Sequence, residues 1–157
     1  MARPIKVLTE PSGISDFFGV ADMGAMDGDC EGEATIWDVG PAFEWIEVGP
    51  NGVTFSVKYG AKAYVRYELW DTRPSPIDPS WQRSWEGRLY LASGRIVAVS
   101  YAGDEADCHT PFDLGRQATS WSARISAKIP MNDTDPEFPG DIYRVGLFKL
   151  QFWAGAS

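Results

Sequence analysis

Val53-Thr-Phe-Ser-Val-Lys-Tyr-Gly-Ala-Lys-Ala-Tyr-Val-Arg-Tyr-Glu-Leu-Trp-Asp71 is the stretch whose reading decides the fold. In its first limb Val53, Phe55, Val57 and Tyr59 alternate with Thr54, Ser56 and Lys58, the two-residue period of a strand with one buried face. In its second limb Ala63, Val65, Tyr67 and Leu69 alternate with Tyr64, Arg66, Glu68 and Trp70. One face there is apolar, and the other is charged at its centre and aromatic at its ends. Gly60 parts the limbs, and two alternating runs around a glycine predict a hairpin.

Upstream, Gly49-Pro50-Asn51-Gly52 is a turn with a mechanism: proline presets one backbone angle, and Asn or Gly accepts positive φ. Pro41 suits the first turn of a short helix over Ala42 to Trp45, with Ile46 to Val48 extended after it. Residues 1–33 read as an irregular acidic segment, with a candidate edge strand at Ile5 to Leu8 and an apolar piece at Phe17 to Val20. Downstream, prolines 74, 76 and 79 make Thr72 to Ser80 a stiff connection. Trp81 to Ala92, Ser93-Gly94 and Arg95 to Tyr101 predict a second hairpin. In Thr119 to Lys128, Trp121, Ala123, Ile125 and Ala127 oppose Ser120, Ser122, Arg124 and Ser126, a polar face expected to meet water. In Ile142 to Trp153 the apolar phase changes near Gly146, which predicts either a bulge or a strand buried on both faces. Seven to eight strands in hairpin order, with at most short helical turns, predict an all-β chain: a single antiparallel β-sandwich domain over residues 1–157.

Composition agrees. Thirteen per cent of the residues are aromatic and 27 are Gly or Pro, a mixture that favours strands joined by tight turns. No run approaches the length of a membrane span and the start lacks a signal-peptide core, so a soluble cytoplasmic protein without membrane contact is expected. The net charge of −8 disfavours nucleic acid, whose phosphates attract Lys and Arg. Its distribution says more. Between Val7 and Val57 there are ten Asp and Glu and no Lys or Arg, whereas from Lys58 onward twelve basic residues balance twelve acidic ones.

Candidate chemistry is sparse. Asp27, Asp29, Glu31 and Glu33 alternate along one loop as oxygen donors for Ca²⁺ would, but without the full spacing of a calcium loop they read as a solvated turn or a charged partner face. Asn132 to Glu137 reads the same way, and neither loop has the His and Cys of a zinc site. No metal or other cofactor is expected. Cys108 and His109, adjacent on an extended loop, point apart and read as an ordinary thiol and imidazole. Cys30 and Cys108 are expected to stay reduced in a cytoplasmic setting. Glu68 and Glu86 sit mid-strand as a glycosidase pair would, but ion pairs with Arg66 or Arg88 account for them more simply. Of the seven tryptophans, Trp70, Trp81 and Trp153 are expected to be partly exposed and the rest core.

The order of several words resembles a known family: Gly49-Pro-Asn-Gly52 into a strand, Ala63-Tyr-Val-Arg-Tyr-Glu-Leu-Trp-Asp71, Ser93-Gly94, Phe112-Asp113-Leu114-Gly115 and two closing strands. From Phe17 to Trp153 this is similar to the competence protein J family, inhibitors of a bacterial DNA-entry nuclease, and to related small actinobacterial proteins. The resemblance carries over no functional residue, and the loop over residues 130–141 departs from a plain hairpin. It implies a β-sandwich that blocks a nuclease. A nuclease grips its substrate with basic groups, so a compact negative face suits such a blocker. The expectation is a non-enzymatic, inhibitor- or immunity-like domain that engages a basic protein partner through Asp27, Asp29, Glu31 and Glu33, flanked by Trp70 and Trp81. The alternatives are a carbohydrate or small-ligand module built on exposed tryptophans and a structural component that self-assembles through an edge strand.

Overall fold

In a computed structural model of the chain, the structure describes residues 2–13, 17–28, 30–40, 42, 44–56, 62–100, 110–128, 137 and 146–154. Among them are ten strands, β1 (Pro4–Gly13), β2 (Phe17–Asp22), β3 (Ile46–Gly49), β4 (Gly52–Ser56), β5 (Lys62–Trp70), β6 (Arg83–Leu91), β7 (Arg95–Ser100), β8 (Phe112–Asp113), β9 (Thr119–Lys128) and β10 (Gly146–Trp153). Two short helices, α1 (Met23–Asp27) and α2 (Ile36–Val39), complete the elements. The chain is all-β as its alternation predicts, with ten strands where seven to eight were expected. The additions are short or lie in the acidic segment, where Gly and Asp interrupt the period.

The strands form two five-stranded sheets, β1-β5-β10-β9-β6 and β3-β4-β2-β7-β8. They belong to two compact units, Met1–Ser12 with Tyr59–Arg88 and Trp121–Ser157, and Gly13–Lys58 with Leu89–Ser120. The predicted hairpin over Val53 to Asp71 does not form. Its first limb, β4, pairs with β2 and β3 in the second sheet, while its second limb, β5, pairs with β10 in the first. Ser93-Gly94 is the tight turn expected, but it joins β6 of the first sheet to β7 of the second. Alternation specifies a buried face; it does not specify which strand supplies the neighbouring edge. The β5·β10 pair is parallel, so the first sheet is mixed rather than purely antiparallel.

Register explains the first unit. Val65, Phe148 and Ala127 form one row across β5, β10 and β9, and Tyr67, Leu150 and Ile125 form the next, all of them buried. Phe17 to Val20, irregular by sequence, instead begins the central strand of the second sheet, paired with both β4 and β7. Ile5 to Leu8 lies in β1 at the outer edge of the first sheet, as expected. Every residue of β10 is buried, so of the two readings of its phase change, burial on both faces is the one that occurs.

In the second unit α2, six residues earlier than the expected helix after Pro41, lays Ile36 against Ala21, Val97 and Val99. Thr35 caps it, and Asp38 Oδ2 accepts from the Thr35 amide at 2.8 Å to close a capping box. Gly19 is what lets Ile36 approach: a Cβ there would stand 2.4 Å from Ile36 Cδ1 and 2.6 Å from the Val53 carbonyl oxygen. Since the carbonyl is backbone and cannot yield, Gly19→Ala is expected to cost about 2 kcal/mol, measured as a lowered denaturation midpoint. The expected turn before β4 is present, with buried Asn51 at φ 64°. Its side chain accepts from the Ala92 amide at 2.7 Å and donates to the Ala34 carbonyl at 2.9 Å.

Candidate functional site

From Gly13 onward the acidic segment is part of the second unit. Asp22 is buried and serves the fold: its carboxylate caps α1 through the Ala25 amide (3.0 Å) and accepts from Ser93 Oγ (2.7 Å) and from the Ser93 and Gly94 amides (3.0 Å each). Glu33 is half-buried and accepts from Tyr90 Oη and from Asn51 Nδ2, both at 3.3 Å. Burial, the nearby Glu33 charge and this hydrogen bond raise the Tyr90 phenol above its ordinary value. Asp27, Glu31, Asp38, Glu44 and Glu47 are exposed. Asp29 lies outside the described residues.

Among the described residues, the ion pairs lie in the other unit. Arg66 pairs with Glu68 at 2.6 Å, Lys149 with Glu137 at 2.6 Å, and Arg73 with Glu86 at 2.9 Å. Among the described residues, none of Asp27, Glu31, Glu33, Asp38, Glu44 and Glu47 has a salt-bridge partner. Charge therefore divides along the structural units. The second contains thirteen Asp and Glu against three Lys and Arg, and the first nine against eleven.

Several sequence expectations are corrected, most of them in the first unit and one, Trp37, in the second. The polar face of β9 does not meet water at its centre: Arg124 and Ser126 are buried. They align with Gln151 and Lys149 of β10, which align in turn with Glu68 and Arg66 of β5. The proline segment after β5 covers part of this face, and Arg124 Nη2 donates to the Ser75 carbonyl. Trp81 and Trp153, expected to be partly exposed, are 7% and 6% exposed, and Trp70 is half-buried. Trp81 packs with Leu147 and carries Lys128 and Lys149 over its ring, at 4.4 and 5.0 Å from the centroid. Trp37, assigned by sequence to the core, is 50% exposed. The polar row was missed because single-strand alternation shows that a face is polar but not that a loop will cover it.

Glu68 is saturated by donors: Arg66 Nε at 2.6 Å, Trp70 Nε1 at 2.8 Å and Gln151 Nε2 at 2.9 Å. Burial alone would raise its carboxyl pKa; these donors and the Lys149 charge outweigh it and hold the group below its ordinary value. An acid held ionised and fully bonded is a poor proton donor. Glu86 pairs with Arg73, not Arg88, so the ion-pair reading holds for both glutamates with one partner changed. Cys108, His109 and residues 132–135 lie outside the described residues. Among the described residues no cluster of three His, Cys, Asp or Glu is placed to hold a metal ion. No described helix is long and apolar enough to cross a membrane.

The fold is one already seen. The inhibitor of the DNA-degrading activity of NucA from Bacillus subtilis, ComJ, superposes with a TM-score of 0.58 over 99% of each chain at 13% identity. The protein of crocagin biosynthetic gene J superposes with a TM-score of 0.58 over 96% of this chain and 98% of its own, at 15% identity. No family model and no curated protein sequence matches. The resemblance in word order is thus matched by a resemblance in structure along the whole chain, and at these identities it is a likeness of fold.

Proposed function

We propose that this chain is a non-enzymatic, inhibitor-like protein-binding β-sandwich domain whose second unit offers a negative surface to a basic partner, such as a nuclease. The observation that carries the reading is the segregation of charge: the excess carboxylates of the chain collect in one structural unit, and Asp27, Glu31, Asp38, Glu44 and Glu47, exposed there, have no salt-bridge partner among the described residues. Unneutralised surface carboxylates raise the encounter rate with a cationic protein and hinder nucleic acid from competing for the same surface. The fold shared with ComJ, whose described action is to inhibit DNA degradation by NucA, supports a nuclease as the kind of partner. Asp27, Asp29 and Glu31 are the residues assigned to contact. Glu33 supports them by anchoring the segment to Tyr90 and Asn51.

The test is DNA cleavage by a basic, non-specific nuclease from the same host, titrated with this protein. Inhibition is expected. Replacing Asp27, Asp29 and Glu31 together with Lys is expected to slow association about tenfold at low salt. The wild-type rate should fall as salt rises, and the rate of the variant much less. Cleavage indifferent to an excess of protein, or inhibition indifferent to both salt and the substitutions, would refute the reading.

A further inference from the structure

The first unit contains a cavity of about 210 Å³ between the polar face of its sheet and the strap over residues 74–78. Its floor is Glu68 and Trp70 of β5 and Lys149 and Gln151 of β10, and Glu137 completes the wall. A floor meant only to seat the strap needs no charge, and burying ions costs more than burying an apolar face of equal area. Three of these floor groups are nonetheless almost wholly buried: Glu68 at 2%, Gln151 at 4% and Lys149 at 6% exposure.

The chemistry of the guest follows from what the protein leaves unbonded. The buried charges of the floor are already paired, Glu68 with Arg66 and Lys149 with Glu137, so a net charge on the ligand is not what the floor selects. The Lys149 ammonium has three N–H donors and gives one to Glu137; the Gln151 amide gives one of its two to Glu68. Apart from the Trp81 ring, 5.0 Å from the Lys149 ammonium, the remaining hydrogens meet no acceptor among the described residues. Acceptors also line the cavity: the Asp78 carboxylate, exposed and bonded among the described residues only by the Ser80 amide and hydroxyl, can accept further. Ile77, Pro74, Pro76 and the Trp70 ring add C–H and aromatic surface. A hydroxyl both accepts from an ammonium or amide and donates to a carboxylate, and a ring bearing several hydroxyls also has apolar C–H faces.

We infer that this cavity binds one small, neutral, polyhydroxylated ring, a monosaccharide or cyclitol, on Lys149, Gln151 and Trp70 beneath the strap. The volume fits that size, below the roughly 300–1,000 Å³ of sites for drug-sized ligands. The inference is independent of the inhibitor reading, whose residues lie in the other unit. It places the ligand in a solvent-open cleft beside the strap, not on the open tryptophan surface anticipated from sequence.

The experiment is a titration of the ¹⁵N-labelled protein with D-glucose and, separately, with myo-inositol, following the indole N–H signals. Trp70→Phe identifies the Trp70 signal, and the exposed Trp37 serves as the reference. At least one polyol should move the Trp70 signal saturably while leaving Trp37 in place. Lys149→Met should weaken that binding at least about tenfold, because a buried hydrogen-bond donor is lost. Ser75→Trp, at an exposed strap position whose side chain takes part in no buried bond, should block entry, and it keeps the test readable if Lys149→Met fails to fold. No saturable shift with either polyol would overturn the inference. So would an equal shift in Ser75→Trp, or saturation by glycine or inorganic phosphate but not by the polyols.

Discussion

Asp22→Ala is expected to destabilise the second unit by at least about 4 kcal/mol, the largest effect of any single substitution considered for this protein. One buried carboxylate accepts four hydrogen bonds, from the Ala25, Ser93 and Gly94 amides and from Ser93 Oγ. Bonds to a charged acceptor are worth about 1.5–3 kcal/mol each, and every donor left without one costs a further desolvation penalty. These terms do not add in full, since Ser93 Oγ also accepts from the Gly24 and Arg95 amides, both at 3.2 Å, and can keep those bonds. Asp22→Asn retains one acceptor oxygen and should recover part of the loss. Chemical denaturation measures the total. Hydrogen exchange locates it, because the Ser93 and Gly94 amides should lose protection first. Unaltered protection there would show that the carboxylate is not what holds the turn.

Glu68→Ala is expected to cost the first unit about 3 kcal/mol near neutral pH. It strips Arg66 of its closest carboxylate and leaves Gln151 Nε2 and Trp70 Nε1 without their acceptor. The pH dependence gives a sharper reading. Because the folded Glu68 pKa lies below its ordinary value of 4.5, its stabilising contribution is complete above that value and is lost as pH falls through the folded pKa. Glu68→Gln, which cannot titrate, should therefore be less stable than wild type at neutral pH, and the two stabilities should draw together in acid. Denaturation midpoints of both proteins across that range provide the comparison. Parallel curves would show that Glu68 titrates in the folded protein as it does in the unfolded chain.

The same carboxylate shows how much of the candidate sites was legible beforehand. Arg66 and Glu68 stand two apart on one strand face, and their pairing follows from period alone. Their burial does not, because Gln151 and Lys149 reach that row only when β10, over eighty residues later, enters the sheet in parallel register. Asp22 was legible only as one of ten early acids; its separation from the others as a structural group depends on a turn seventy residues away. Trp81 looked like a contact residue because it follows a proline loop. It is instead the platform beneath two lysines, one on β9 and one on β10.

By itself the sequence determined what short-range physics can determine. Side-chain alternation marks β4, β5, β6, β7 and β9 as strands, and Asn51 and Gly94 mark turns with positive φ, because these depend on residues within a few positions of one another. It also determined the early absence of Lys and Arg. Only the tertiary structure decided that both expected hairpins part into separate sheets and that a proline strap covers a polar face. It alone gathered most of the chain's carboxylates into one unit, while the ion pairs seen among the described residues, Arg66–Glu68, Lys149–Glu137 and Arg73–Glu86, formed in the other. The reason is that strand pairing and charge neutralisation are settled between residues distant in the chain: a strand carries the same hydrogen-bonding edge whichever partner it meets, and a carboxylate the same charge whether or not a guanidinium arrives.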